Sequence, residues 1–199
     1  MLSRLPFSPR LSRVHVEPLA GHRHAVPVRL RQWLSAPGSL TARLRQHGQV
    51  SVQVISQRRQ TLWPQERAAL RCAQGHVREV ILRIDGRPAV WARSATPLGA
   101  VKGPWRAIKG LGARPLAELL FEHNQVSRDP LQSQMLLRQG PERRHLARQW
   151  AQSQTTQSVS EPAPSWARRS VFWHHGHPLQ VLESFAPWVT KLGVRQAHR

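Results

Sequence analysis

The sequence predicts an α+β domain with a mainly antiparallel β-sheet flanked by short helices. Three observations predict it. The stretches "VREVILRIDGRPAVWARSATP" (77–97) and "RRSVFWHHGHPLQVLESFAP" (168–187) each read as strand, tight turn and strand. Val50, Val52 and Val54 alternate with polar neighbours, the pattern of a half-buried strand. The helical segments between these strands are short and are expected on one side of the sheet.

The ordered chain is expected to begin near "VRLRQWLSAPGSLTARLRQHG", with a short helix through Trp33 and Leu34 that stops at Pro37-Gly38. Ser39 is placed to cap a second helix carrying Leu40 and Leu44, ended by Gly48. "TLWPQERAALRCAQG" reads as a loop with a helical turn, and the next hairpin turns at Asp85-Gly86-Arg87-Pro88. "GPWRAIKGLGARPLAELLFEH" gives two short helices joined by a glycine-rich link. Residues 138–165 are polar and read as an exposed excursion, helical around Glu142 to Gln152 and otherwise flexible. The last hairpin turns at His174 to Pro178. The division is thus a basic, flexible leader (1–28), one domain (29–190) and a basic tail (191–199).

The 199 residues carry a net charge of +20, with 27 arginines against three lysines. Such a balance suits an anionic partner, whether nucleic acid, an acidic membrane surface or a small anion. No apolar run approaches the ~20 residues of a membrane-spanning helix. The single cysteine, Cys72, excludes an internal disulfide framework and fits a reducing, cytoplasmic setting. His174, His175 and His177 sit in a turn without Cys or acidic residues at zinc-like spacing, so no metal site is assigned. Neither a G-x-S-x-G nucleophile motif nor a phosphate-binding glycine loop is present.

Two charges break the strand pattern. Arg78 leads the apolar parity Arg78, Val80, Leu82, Ile84, and Glu183 sits within Leu179, Val181, Glu183, Phe185. A charge on a buried face costs several kcal/mol without a partner. Two readings account for the pair: they bond each other or lie at wet sheet edges, or they line a pocket with apolar walls that takes a polar anion. A guanidinium grips a carboxylate through two hydrogen bonds, which a lysine does not.

Four pieces in order resemble the chorismate pyruvate-lyase family: "WLSAPGSLTARLRQHG" with "VSVQVI", then 77–97, then "GLGARPLAELLF" with "VSRD", then 168–187. The resemblance spans about Trp33 to Pro187. It implies the chorismate lyase-like fold, with a ligand site enclosed beneath helical flaps. It also implies conversion of chorismate to 4-hydroxybenzoate and pyruvate for ubiquinone synthesis, without cofactor, with product inhibition, and by a monomer. Carried over by position, the ligand-binding arginine falls on Arg78 and the glutamate on Glu183. A backbone contact falls on Leu116, and a wall position held by methionine falls on Leu40, a volume-conserving change. In this role Arg78 clamps a carboxylate and Glu183 accepts the 4-hydroxyl, with base catalysis as a further task.

Two other classes remain as alternatives. A non-catalytic effector-sensing domain has the same fold, but the 32 residues before Trp33 are too few for the DNA-reading domain that accompanies it. A nonspecific nucleic-acid binder needs stacking aromatics interleaved with its arginines, whereas the tryptophans here fall within apolar patterns. The charge also suits weak docking on an anionic membrane surface.

Overall fold

The computed structural model describes residues 26–121, 125–154 and 160–193. The expected basic leader therefore lies outside the described residues through 25, and the basic tail from 194 onward. Strands β1 (Val50–Thr61), β2 (Gln74–Ile84), β3 (Arg87–Pro97), β4 (Val126–Arg128), β5 (Gln132–Met135), β6 (Trp166–His174) and β7 (His177–Phe185) form one sheet. Their order is β1-β2-β3-β7-β6-β4, with β5 also paired to β6, and every pairing is antiparallel. Among the described residues, five α-helices accompany them: α1 (Val28–Ser35), α2 (Leu40–Arg45), α3 (Pro64–Leu70), α4 (Leu116–Phe121) and α5 (Pro141–Ser153).

Local chemistry accounts for the elements. The Ser39 hydroxyl accepts the Ala42 N–H at 3.2 Å and caps α2 as expected. In α3, Pro64 opens the helix and the Glu66 carboxylate accepts the Trp63 N–H at 2.8 Å, so this segment is a full helix where a loop with one turn was expected. The β2–β3 hairpin turns on Asp85 and Gly86, both with positive φ (48° and 79°), as a two-residue turn matching strand twist requires. Its register then shifts. Arg83 faces Pro88 but Leu82 faces Val90, so Ala89 is an extra, bulged residue. A second shift falls between Val54 and Ser56 of β1. Beyond both bulges Arg78 faces Ser94 and Gln57, while Glu79 faces Arg93 and Ser56. Opposite residues share a face, so the bulges sort the charges to two sides of the sheet.

Helices cover both faces, where the sequence reading expects one. The reason lies in β2, where Val77, Arg78, Glu79, Val80, Ile81 and Leu82 are all buried, so neither parity meets water. One face carries Arg78, Val80, Leu82, Ala92, Ser94, Val181 and Glu183 beneath α2 and α4. The other carries Glu79, Ile81, Trp91 and Arg93, reached by α3 through Glu66 and by α5 through His145 and Gln149. Within 138–165, helix α5 is accordingly packed against the sheet, where an exposed excursion was expected. Leu146 and Trp150, one turn apart in α5, are 0% and 1% exposed and join the main core.

The second face holds a charged cluster that the parity argument does not anticipate. Arg93 donates Nε and Nη2 to the two oxygens of Glu66 (2.7 and 2.9 Å) and Nη1 to Glu79 (2.6 Å) and Gln60 (3.1 Å). Its guanidinium lies 4.0 Å from the centre of the Trp63 ring. Glu79 also accepts from Ser56 and Gln149, each at 2.7 Å, and contacts His145 Nε2 at 2.7 Å. Burial alone raises the pKa of this carboxyl, but the bonds from His145, Gln149 and Ser56 outweigh it and hold the group well below the usual carboxylate range.

Candidate active site

Between the first face and helices α2 and α4 lies a cavity with largely apolar walls and a few convergent charged side chains, the make-up of a small-molecule site. Its floor is kept low by Ala92 and Ser94 on the central strand β3, and Val52, Val80, Leu82 and Val181 widen it as apolar surface. Leu40, first residue of α2, and Leu116, first residue of α4, line it from above. Arg78 and Glu183 line the same cavity, so all four residues singled out from the sequence face one space.

Arg78 and Glu183 do not bond each other. Arg78, 2% exposed, donates Nη2 to the carbonyls of Gly112 (2.8 Å) and Arg114 (3.1 Å), tying the loop before α4 to the sheet. Gly112 holds φ at +56°, which aims its carbonyl at the guanidinium through a conformation that favours glycine. Arg78 Nε is buried and has no hydrogen-bond partner. Burial pushes the Arg78 pKa down, so this cation is short of a counter-charge. A carboxylate arriving at Nε would satisfy the donor and the charge together.

Glu183 is paired with Arg168, whose Nε donates to Oε2 at 2.6 Å. Arg168, 1% exposed, is fixed in turn by the carbonyls of Trp33 (3.0 Å) and Ala36 (2.8 Å), just after α1. The surroundings of Glu183 are therefore cationic where the sequence pattern implies apolar ones. Arg128 of β4 completes the wall, donating Nε to Ser170 Oγ at 2.9 Å and lying 4.9 Å from the Phe172 ring centre.

Arg168 and Arg128 escape the parity argument, yet Arg168 was within reach of it. The turn at His175-Gly176 pairs His174 with His177, and counting outward from it sets Arg168 opposite Glu183. Arg128 had no such signal, because β4 is three residues long and joins β6 from a distant part of the chain. Among the described residues no group of three His, Cys, Asp or Glu side chains could hold a metal, and His174 stacks edge-on to Trp105 at 5.3 Å.

Fold and cavity together define an α+β protein whose antiparallel sheet carries an arginine-lined cavity. The chorismate lyase family model matches residues 20–192. The probable chorismate pyruvate-lyase of Albidiferax ferrireducens is 45% identical over 166 residues, covering 79% of this chain and 83% of that protein. That of Aromatoleum aromaticum is 41% identical over 174 residues, covering 85% and 91%. Among solved structures, the C-terminal domain of the histidine utilization repressor from Pseudomonas syringae pv. tomato aligns with a TM-score of 0.49 at 11% identity, over 75% of this chain and 100% of that one. The chain belongs to the chorismate lyase family, a family of carbon–oxygen lyases.

Proposed function

We propose that the protein converts chorismate to 4-hydroxybenzoate and pyruvate, and that Arg78 and Glu183 carry the reaction. The observation that supports this most is the unpartnered, buried Nε of Arg78 in the same cavity as Glu183. In the elimination the proton leaves the ring carbon bearing the hydroxyl, and its bonding pair becomes ring π density. The neighbouring carbon–oxygen bond breaks, and its electrons leave on the enolpyruvate oxygen. Enolpyruvate then takes a proton and tautomerises to pyruvate. The step is redox-neutral, and aromatisation drives it.

The protein's task is to hold a dianion out of water and to manage one proton. Arg78 grips the ring carboxylate, and the para hydroxyl then falls toward β7, where Glu183 accepts it. Arg168 holds Oε2, leaving Oε1 to orient the hydroxyl or receive the proton. Leu40 closes the apolar wall, and the Leu116 backbone meets the ligand at the start of α4. Helices α2 and α4 act as flaps over the product and slow its release. In this reading the enzyme is a cytoplasmic monomer that needs no cofactor and feeds ubiquinone biosynthesis.

The test is incubation of the purified protein with chorismate, without metal or nucleotide, and chromatographic identification of the aromatic product. Arg78→Ala runs alongside. 4-Hydroxybenzoate plus pyruvate, lost in the variant, is the expected result. A different hydroxybenzoate isomer would change the reaction while keeping the substrate. Tight 4-hydroxybenzoate binding without turnover would replace the lyase with a sensor.

A further inference from the structure

Across the sheet the cavity's charged residues fall in a fixed sequence: Arg78 on β2, the small Ala92 and Ser94 on β3, Glu183 on β7, Arg168 on β6 and Arg128 on β4. Four strand spacings of ~4.8 Å separate the backbones of Arg78 and Arg128 by roughly 19 Å. Both side chains reach the one cavity, so their cationic heads stand on opposing walls. Three guanidiniums and a single carboxylate line the cavity, an excess of two positive charges. The three are not equivalent. Arg168 is spent on Glu183 and on two backbone carbonyls. Arg128 has a hydroxyl partner and one carbonyl, Gly38, at 3.5 Å, and makes no ion pair among the described residues.

We propose that Arg128 is a second carboxylate-binding residue, taking the enolpyruvyl carboxylate of the substrate while Arg78 takes the ring carboxylate. This rests on chorismate being the substrate, as proposed above. The two charges of that dianion match the cavity's excess of two. The positions match as well. The enolpyruvyl ether sits on the ring carbon next to the hydroxyl, so its carboxylate lies on the Glu183 side, away from Arg78, and Arg128 stands beyond Glu183 on that side. Burial lowers the Arg128 pKa to about 10, with Glu183 raising it and Arg168 lowering it, so an arriving anion relieves a cation that is short of counter-charge. When the carbon–oxygen bond breaks, this carboxylate departs with pyruvate. Arg128 therefore discriminates substrate from product, whereas Arg78 holds both.

The experiment compares chorismate kinetics with 4-hydroxybenzoate affinity, by steady-state assay and titration calorimetry, in the unmodified protein, Arg128→Gln, Arg128→Lys and Arg78→Ala. Arg128→Gln is expected to raise KM for chorismate about ten- to a hundredfold, the weight of a charge-assisted hydrogen bond, with product affinity within about twofold. Arg128→Lys keeps a point charge and recovers part of the loss. Arg78→Ala is expected to weaken both ligands. Retained product binding shows that the Arg128 variants are folded. Kinetics within twofold of the unmodified protein, or an equal loss for substrate and product, would overturn the role of Arg128 and leave the lyase reading standing. Absence of chorismate turnover in the unmodified protein would remove both.

Discussion

Replacing Arg93 with Met is expected to destabilise the fold severely, although Arg93 lies on the face of the sheet opposite the cavity. Arg93 and Glu79 are each 1% exposed and Glu66 is 2% exposed. The guanidinium makes four hydrogen bonds, three of them to the two carboxylates. Met fills much of the same volume but leaves both acids without their cation. Breaking a buried ion pair from one side costs about 3–5 kcal/mol, because the remaining charge stays desolvated. Against a domain stability of about 5–15 kcal/mol, that is a fifth or more of the total. With a urea m-value of about 2 kcal/mol/M, the unfolding midpoint should fall by roughly 1.5–2.5 M. Trp63, stacked against Trp91 with ring centres 6.1 Å apart, reports the transition by fluorescence. Adding Glu66→Gln and Glu79→Gln to Arg93→Met should restore part of the loss, since neutral amides are cheaper to bury unpaired. The acid limb is a second readout. Glu79 titrates below its unfolded value of about 4.3, so its contribution is present above that pH and is lost as the pH falls through and beneath it. A single Glu79→Gln variant should therefore show a flatter decline of stability below about pH 4. A midpoint shift under about 0.5 M for Arg93→Met, equivalent to about 1 kcal/mol, would refute the reasoning and make the cluster a solvated one.

Two further outcomes concern the cavity. Glu183→Gln should lower turnover about 10²–10⁴-fold with 4-hydroxybenzoate affinity largely kept; a loss under about tenfold leaves Glu183 only an orienting role. Gly112→Pro forces φ from +56° to about −65°, swings its carbonyl off Arg78 and should speed product release. Unchanged product affinity and turnover in that variant would dismiss the flap.

The two anomalous charges were legible because a strand has a strict period of two. Arg78 and Glu183 stood out on faces that should have been apolar, and both line the cavity. The same rule hid the other face. With Arg78, Val80 and Leu82 assigned inward, the alternation gives no sign that Glu79 is buried too, as it is beneath α3 and α5. Helix α5 was expected around Glu142 to Gln152, but its burial was obscured because the buried stripe mixes Leu146 and Trp150 with Gln149 and Ser153. Gln149 bonds Glu79 and Trp91, and Ser153 bonds the Trp150 carbonyl, so their polarity is satisfied inside. β1 runs to Thr61, well past its valines, because its polar second half "SQRRQT" is an edge paired only to β2. The pairing of β4 with β6 depends on long-range docking, for which no local pattern exists.

The bulged Ala89 makes the β2–β3 hairpin sensitive to counting. Were Ala89 absorbed into a regular ladder, Arg78 would pair with Arg93 and Glu79 with Ala92, sending the guanidinium meant for Glu66 into the ligand cavity. Deleting Ala89 itself should leave Leu82 opposite Val90 and Arg78 opposite Ser94, so loss of the bulge residue is tolerated where its absorption is not. A register that took Ala89 into the ladder would exchange the inner and outer alphabets of the whole distal strand, and with them the charge of the site.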